Sequence, residues 1–456
     1  MTLHPSIAVV GFGMSGLGFT HALRNAPLFA EVPDRFRPEI AVFEAGPHLG
    51  GKVAPRNLGA QFLDADYFYP LNRIVEDLKV KTHPPRPDYD LAPFALRSGR
   101  IMEGRQFAEA LQRLRESARL ILHRGDWENL DQRGAVDLIR DLQSQGVLDE
   151  EECEAMEARL LFEEGTREIS ALSFAINLAK SRSPMERIEV IGGLHRLVEA
   201  EKESLLQFGA RILTATCVRR VEVLEKGVRL FFEKEEGLFH EDFDFTLLAV
   251  SPEHYAGIEI SGARFPFEIF SRMRPARITK TNLRFRGTLE SREIANHRFA
   301  MWSSPPEGDL FKEPVVTFFH GWEGTKPLKV RRMRDEVLGR KDPHRLHAVE
   351  TRTWDGEARG GGVPHGYTTM PAPGQGLGVV RLALDQFLFG VYDQEPLRAA
   401  NHLLGLGCYT RDAALAGEWA AISILRSLGL NIEKALQRTA DPEAELLGVT
   451  FSPRYV

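Results

Sequence analysis

The apolar run Ile7-Ala-Val-Val10 leads directly into Gly11-Phe-Gly13-Met-Ser-Gly16, and Leu17 to Leu23 then repeats its apolar residues at helical spacing. Strand, glycine turn and helix in that order make the opening of a parallel βα unit. Each glycine has a mechanical task. Gly11 allows the tight turn, Gly13 lets backbone approach a pyrophosphate, and Gly16 lets the helix lie close to the strand. Ser15 falls in the first helical turn, where free N–H groups and the positive end of the helix dipole favour phosphate. A second strand, Glu39 to Phe43, ends on Glu44, whose carboxylate would accept hydrogen bonds from ribose hydroxyls and disfavour a 2′-phosphate. Glu44 lies 28 positions beyond Gly16, and the segment Asn25 to Pro38, with three prolines, is read as a surface insertion that accounts for the excess. A strand before, a helix after and an acid ending the next strand turn a weak glycine pattern into a dinucleotide site.

The continuation narrows the dinucleotide. Gly50-Gly51-Lys52 follows Glu44, and then comes Asn57-Leu-Gly59-Ala60-Gln61-Phe62-Leu-Asp64. Read alone, this stretch could be a glycine-rich surface loop. Taken in order it resembles the flavoproteins with two dinucleotide-binding domains, particularly the flavin-containing amine oxidases. The resemblance implies bound FAD, with Gly51 and Lys52 on the pyrophosphate side and Gly59, Ala60, Gln61 and Phe62 passing beside the isoalloxazine ring. Lys52 stands where arginine is commoner, which keeps the charge and loses the bidentate fork.

Further along, residues 101–205 are helical in pattern and highly charged, and Val190-Ile-Gly192-Gly193 precedes another helix. Short alternating strands follow at Ala210 to Leu213 and Cys217 to Val221, and the resemblance puts Val218 against adenine. Ile278-Thr-Lys280-Thr-Asn-Leu283-Arg-Phe285 is an alternating strand. By itself Lys280 is a solvated strand lysine; the resemblance makes it the lysine that holds a water near flavin N5. Thr353-Trp354, a glycine run and Tyr367-Thr-Thr369 are similar to the segment where that family places one aromatic wall of its substrate cage. Gly366 stands where covalently flavinylated members have cysteine, so the FAD is expected to be non-covalent, with His365 a remote candidate for attachment. Tyr409 would be the second wall, and Thr410 would present its backbone N–H near the flavin pyrimidine. The family's acid before the closing helix has two possible positions. Gly407-Cys408 offers no acid; alternatively Phe387 to Asp393 is the strand and Asp393 serves, which is the preferred reading.

The 456 residues, 43% of them hydrophobic, suffice for more than one core. The fold expected is α/β, with a discontinuous Rossmann-like FAD-binding domain (1–80, 186–258 and 380–450) and a mixed-sheet plus helical substrate domain (81–185 and 259–379). The formal net charge of -6, with Lys and Arg dispersed, speaks against nucleic acid as the main partner. Cys153, Cys217 and Cys408 have no short spacing that would suit a metal or redox pair, so no metal is expected. The start Met1-Thr-Leu-His-Pro-Ser lacks a basic n-region, no run of eighteen apolar residues occurs, and the expected location is the cytoplasm without a membrane anchor. The reaction implied is oxidation of a small amine or amino acid by hydride transfer to flavin N5, with O2 as reoxidant. A flavin desaturase, dehydrogenase or isomerase acting on an apolar substrate is the second reading, and a non-catalytic scaffold the third. Arginines 272, 274, 277, 284 and 286 offer no pattern from which a carboxylate clamp could be chosen, and the oligomeric state is not readable.

Overall fold

The computed structural model describes residues 4–26, 36–53, 60, 62–64, 70–84, 86–87, 92–160, 169–180, 186–271, 273, 278–287, 294–296, 299–304, 314–321, 329–338, 345–354, 370–401, 403–405 and 410–432. Nine strands carry the account: β1 (Ser6–Val10), β2 (Glu39–Phe43), β3 (Arg211–Leu213), β4 (Phe245–Leu248), β5 (Ile278–Phe285), β6 (Ala300–Ser304), β7 (Val315–Gly321), β8 (Leu346–Trp354) and β9 (Leu397–Ala399). With them go helices α1 (Met14–Arg24), α2 (His195–Phe208), α3 (Val330–Leu338) and α4 (Thr410–Ser427).

The first sheet is parallel throughout, in the order β9-β4-β1-β2-β3. Ile7, Ala8 and Val9 of its central strand are fully buried, as a continuous apolar strand must be when both faces of a parallel sheet are covered. Helix α1 returns across one face and α4 packs against it through small residues. A Cβ on Gly18 would collide with the Ala414 carbonyl, and one on Gly417 with that of Ser15, so the two helices approach backbone to backbone. The run from Ala413 to Ala421 supplies the small residues that this approach needs.

Beside the end of β2 stands an antiparallel sheet built on Cys217–Val223, Val228–Lys234 and Gly237–Phe243, with Glu259–Ser261 added in parallel. Phe43 joins the two sheets by packing against Phe232 (centroids 5.0 Å apart) and edge-on to Phe243 (5.8 Å). A seven-stranded mixed sheet forms the second body, ordered β8-β5-β7-β6 and continuing through Ile294–Asn296, Phe94–Ala95 and Ile101–Met102. The helices expected before residue 205 include Gly104–His123, Ala135–Ser144, Glu150–Leu160 and Ala171–Lys180. In the first, Phe107, Ala110, Leu111, Leu114 and Ala118 form the buried stripe, which is the three-and-four spacing of an amphipathic helix. Lys180, at the end of the last, is tied to α4 by a buried ion pair with Asp412 (2.6 Å) and to the turn after β9 by donating to Gly405 O.

One expected strand is absent. Phe387 to Asp393 does not run as a strand; Leu384–Leu388 is a wide helical turn that continues Gly376–Ala383, and the strand is Leu397–Ala399. An apolar run bounded by glycine reads equally as buried strand or buried helix, and Leu382, Ala383 and Phe387 are buried as parts of a helix. Asp393 therefore lies in the turn that enters β9. There its carboxylate accepts Arg426 Nη2 at 2.8 Å and the Ser423 hydroxyl at 3.3 Å.

Candidate functional site

In a parallel sheet ligands collect beyond the carboxyl ends of the strands, and here those ends carry Gly11 after β1, Glu44 after β2, Ala249 after β4 and Asn401 just after β9. Gly11 has φ +89°, and a Cβ there would stand 2.8 Å from Ala249 O. A Cβ on Gly16 would stand 2.5 Å from Gly11 O. Both glycines are thus fixed by the fold. Gly13 is different: among the described residues a Cβ there would meet no atom within 4 Å. It is the N-cap of α1, has no side-chain cap, and no acid occupies the first turn, so the helix's leading amides face that open space, with Ser15 buried among them.

Glu44 closes one side of this cradle. Its Oε2 accepts the Phe12 amide (3.0 Å) and its Oε1 the Gly46 amide (2.9 Å). Burial raises its pKa, and the two amides oppose the rise. A carboxylate has about four acceptor positions, so lone pairs remain for hydroxyls. The backbone of Glu44 is held by Leu213 O and by the Thr216 amide, which leads directly into the strand carrying Val218, itself buried. On the other side Gly50 donates to Phe12 O (2.8 Å), and a Cβ on Gly51 would lie 3.5 Å from Gly13 Cα. Gly51 and Lys52 therefore lie over the glycine turn. Lys52 pairs with Glu253 (3.1 Å) on the short helix Pro252–Gly257, and the Ala60 amide donates back to Lys52 O.

Asn401 is the residue that the sequence did not single out. It is buried; its Oδ1 accepts the Leu403 and Leu404 amides (3.1 and 3.3 Å), and its Nδ2 meets no acceptor at hydrogen-bonding distance among the described residues. The nearby Tyr255 hydroxyl donates to Leu248 O (2.9 Å) and keeps its oxygen as an acceptor toward Asn401, which opposes the rise that burial imposes on the tyrosine pKa. Asp393, expected to supply the acid here, is at the amino end of the same strand and so on the opposite edge of the sheet. The signal was hidden by Arg398. A charged residue in the middle of Leu397–Ala399 reads as loop, yet its guanidinium is fully buried and satisfied by the hydroxyls of Ser423 and Ser427 and by main-chain carbonyls.

Lys280 lies on the second strand of the seven-stranded sheet, 2% exposed, with Phe319 and Arg352 directly across from it on β7 and β8. It is not a solvated strand lysine. Thr410 begins α4, and Phe62 begins the strand Phe62–Asp64; their side chains are not described. Gly59, Gln61, His365, Gly366, Tyr367 and Tyr409 lie outside the described residues.

An open cradle at a helix N-terminus, a buried acid beside it and a buried carboxamide just after the last strand fit a dinucleotide, in an α/β protein with a second, mixed sheet. Residues 34–327 match the family model described as flavin containing amine oxidoreductase, and the chain belongs to that family of flavin-dependent oxidoreductases. No curated protein matches it. Among solved structures, cyclohexylamine oxidase from Brevibacterium oxydans IH-35A is similar at TM-score 0.69 and 15% identity, covering 93% of this chain and 100% of its own. Putrescine oxidase is similar as a double mutant (TM-score 0.68, 17% identity) and as the wild type bound to putrescine (0.67, 16%), each covering 93% of this chain and 99% of its own. At that identity the likeness establishes the fold. Among the described residues no helix is long and apolar enough to cross a membrane, and no acid, His or Cys cluster could hold a metal.

Proposed function

We propose that this chain binds FAD without a covalent link and oxidises a small primary amine or amino acid, with O2 as the final electron acceptor. The substrate's α-C–H and N–H bonds give up two electrons and two protons and become a C=N bond. When bound, the flavin supplies the two-electron acceptor for that change.

The observation that carries the cofactor half is the space at Gly13, which no packing requirement explains and which faces uncapped helix amides. In this reading the α1 N-terminus binds the pyrophosphate and Glu44 accepts the ribose hydroxyls. Val218 lies against adenine, Gly51 and Lys52 close over the phosphates, and Gly59, Ala60, Gln61 and Phe62 pass beside the ring system. Asn401 takes the place expected of Asp393 and donates from Nδ2 to the chain between ring and phosphates, while Thr410 presents its amide to the pyrimidine. Lys280 holds a water at the reacting edge, and its cation favours the developing negative charge there. Tyr367 and Tyr409 flank the substrate amine, whose lone pair or cation their ring faces would orient. Family membership and two amine oxidases among the similar folds support the amine as the oxidised group.

Purified protein is expected to carry flavin released intact by denaturation, and Lys280→Met is expected to slow reoxidation by O2. Flavin retained by the denatured polypeptide would refute the non-covalent assignment. Unchanged reoxidation in Lys280→Met would remove the lysine from its role, and turnover without hydrogen peroxide would replace the oxidase with a dehydrogenase.

A further inference from the structure

Two loops meet over the glycine turn, one from each strand that flanks β1. From β2 comes the loop of Gly50, Gly51 and Lys52, in which Gly50 donates to Phe12 O and a Cβ on Gly51 would lie 3.5 Å from Gly13 Cα. From β4 comes Ala249-Val250-Ser251. Its first two residues crowd Gly11, with Ala249 O 2.8 Å and Val250 Cγ1 3.2 Å from where a Cβ would stand. The chain then enters the short helix Pro252–Gly257, whose first turn carries Glu253. Glu253 and Lys52 bridge the two loops as an ion pair of 3.1 Å, their side chains 8% and 21% exposed.

The carboxylate is held in place. Tyr255, two positions on, is buried, donates to Leu248 O (2.9 Å) and packs against Phe270 and Phe267, with ring centroids 4.7 and 5.7 Å away. His254 adds no cation at neutral pH, because desolvation lowers its pKa, with Glu253 opposing the fall and Lys52 adding to it. Lys52 and Glu253 together bring no net charge, so the attraction of the turn for an anion comes from the α1 amides, equivalent to about half an elementary charge. Such a site suits a phosphate that carries one charge. The diphosphate of a dinucleotide is esterified at both ends and carries one charge on each phosphorus. ADP and ATP present the same adenosine diphosphate half but end in a phosphate monoester, whose second proton leaves at about pH 6.

We propose that Glu253 is a specificity-determining residue of the cradle: beside Lys52, its carboxylate turns away nucleotides that end in a phosphate monoester, ADP and ATP among them, and leaves the site to a dinucleotide. The inference rests on the reading of the cradle as an FAD site and names what that site rejects. An ammonium has three donors, so Lys52 can serve Glu253 and one phosphate oxygen together. A second charge on the same phosphorus meets the carboxylate instead. Repulsion is needed for this choice, because the helix amides and Glu44 read a half that FAD, ADP and ATP share. Glu253 gave no signal in the sequence, since only the folded chain sets it against Lys52.

The test uses the full chain freed of flavin, at about pH 8 without divalent cations, and two probes that differ by one methyl group and one charge: ADP and its β-phosphate methyl ester. Calorimetry is expected to show wild type binding the ester roughly tenfold or more tightly than ADP. Glu253→Gln, which keeps the size of the side chain, is expected to bind ADP about tenfold tighter and the ester within about threefold of wild type, so that the gap closes. FAD, followed by its fluorescence, is expected to behave as the ester does. A gap that survives in Glu253→Gln overturns the proposal. Should that variant fail to fold, Glu253→Ala carries the same expectation, and should neither fold, the wild-type comparison decides alone. If FAD and the ester bind but ADP binds equally well to wild type, this inference fails and the cofactor reading stands. If neither FAD nor the ester binds, the cofactor reading fails and the inference falls with it.

Discussion

Alanine at Gly13 separates a requirement of the ligand from a requirement of the fold. The backbone there, φ -80° and ψ -161°, suits any L residue, and the added methyl meets nothing within 4 Å among the described residues. The apoprotein should therefore change by less than about 1 kcal/mol, since a poorer N-cap is offset by a less flexible unfolded chain. Flavin binding should change far more. Phosphate oxygens bonded to helix amides approach backbone to about 2.8 Å, whereas a methyl carbon needs about 3.5 Å. The phosphate must then withdraw by a good part of 1 Å and weaken two charge-assisted hydrogen bonds, a loss of about 3 kcal/mol or two orders of magnitude in Kd. Gly16→Ala is the control. Its methyl would lie 2.5 Å from Gly11 O, roughly 1 Å short of ordinary contact, and overpacking of that kind costs about 1–3 kcal/mol of stability with or without flavin. Thermal unfolding of the two apoproteins and titration with FAD followed by flavin fluorescence measure both quantities. Wild-type affinity in Gly13→Ala, or a loss of apoprotein stability equal to that of Gly16→Ala, would mean that the space at Gly13 does not receive a phosphate.

Lys180→Met, which removes one partner of the buried Lys180–Asp412 pair, should cost about 3 kcal/mol or more, read from the shift of a urea midpoint. His21 is fully buried beside Asp77, and desolvation first, then Arg73 and Arg24, lower its pKa to about 3. The unfolded chain binds the extra proton below about 6.5, so its contribution is present above that pH and is lost on acidification toward 3; His21→Gln should flatten this limb of a stability-against-pH curve. Glu201, raised to about 7 by burial, has the opposite sign: the folded protein holds its proton more tightly, so stability falls as pH rises from about 4.5 to 7, and Glu201→Gln should remove that fall. Cys153, whose thiol burial pushes up to about 11, should resist alkylation at pH 8 until the protein is unfolded, as mass spectrometry would record.

The cradle was legible because each part of it is local: an apolar strand, glycines at fixed offsets and an acid at the end of the next strand. The packing of α4 on α1 shows only in the fold, where Gly18 and Gly417 leave no room for a Cβ between the two backbones. The last strand was not legible. Its central Arg398 is buried among hydroxyls that come from α4, 25 and 29 positions later, and no local pattern reports such a solvation shell. The misreading moved the expected acid to Asp393, whose charge is spent on Arg426 at the far edge of the sheet. Lys280 and Arg352 illustrate the same limit. Their spacing of 72 positions carries no information until antiparallel pairing sets them opposite one another.

Anaerobic titration of the flavin-loaded protein with a broad set of amines and amino acids decides whether the bound flavin oxidises an amine. At least one is expected to bleach the visible flavin band to the two-electron-reduced spectrum, and admitted O2 to restore it with release of hydrogen peroxide. A protein that holds flavin tightly yet is bleached by none of them would contradict it.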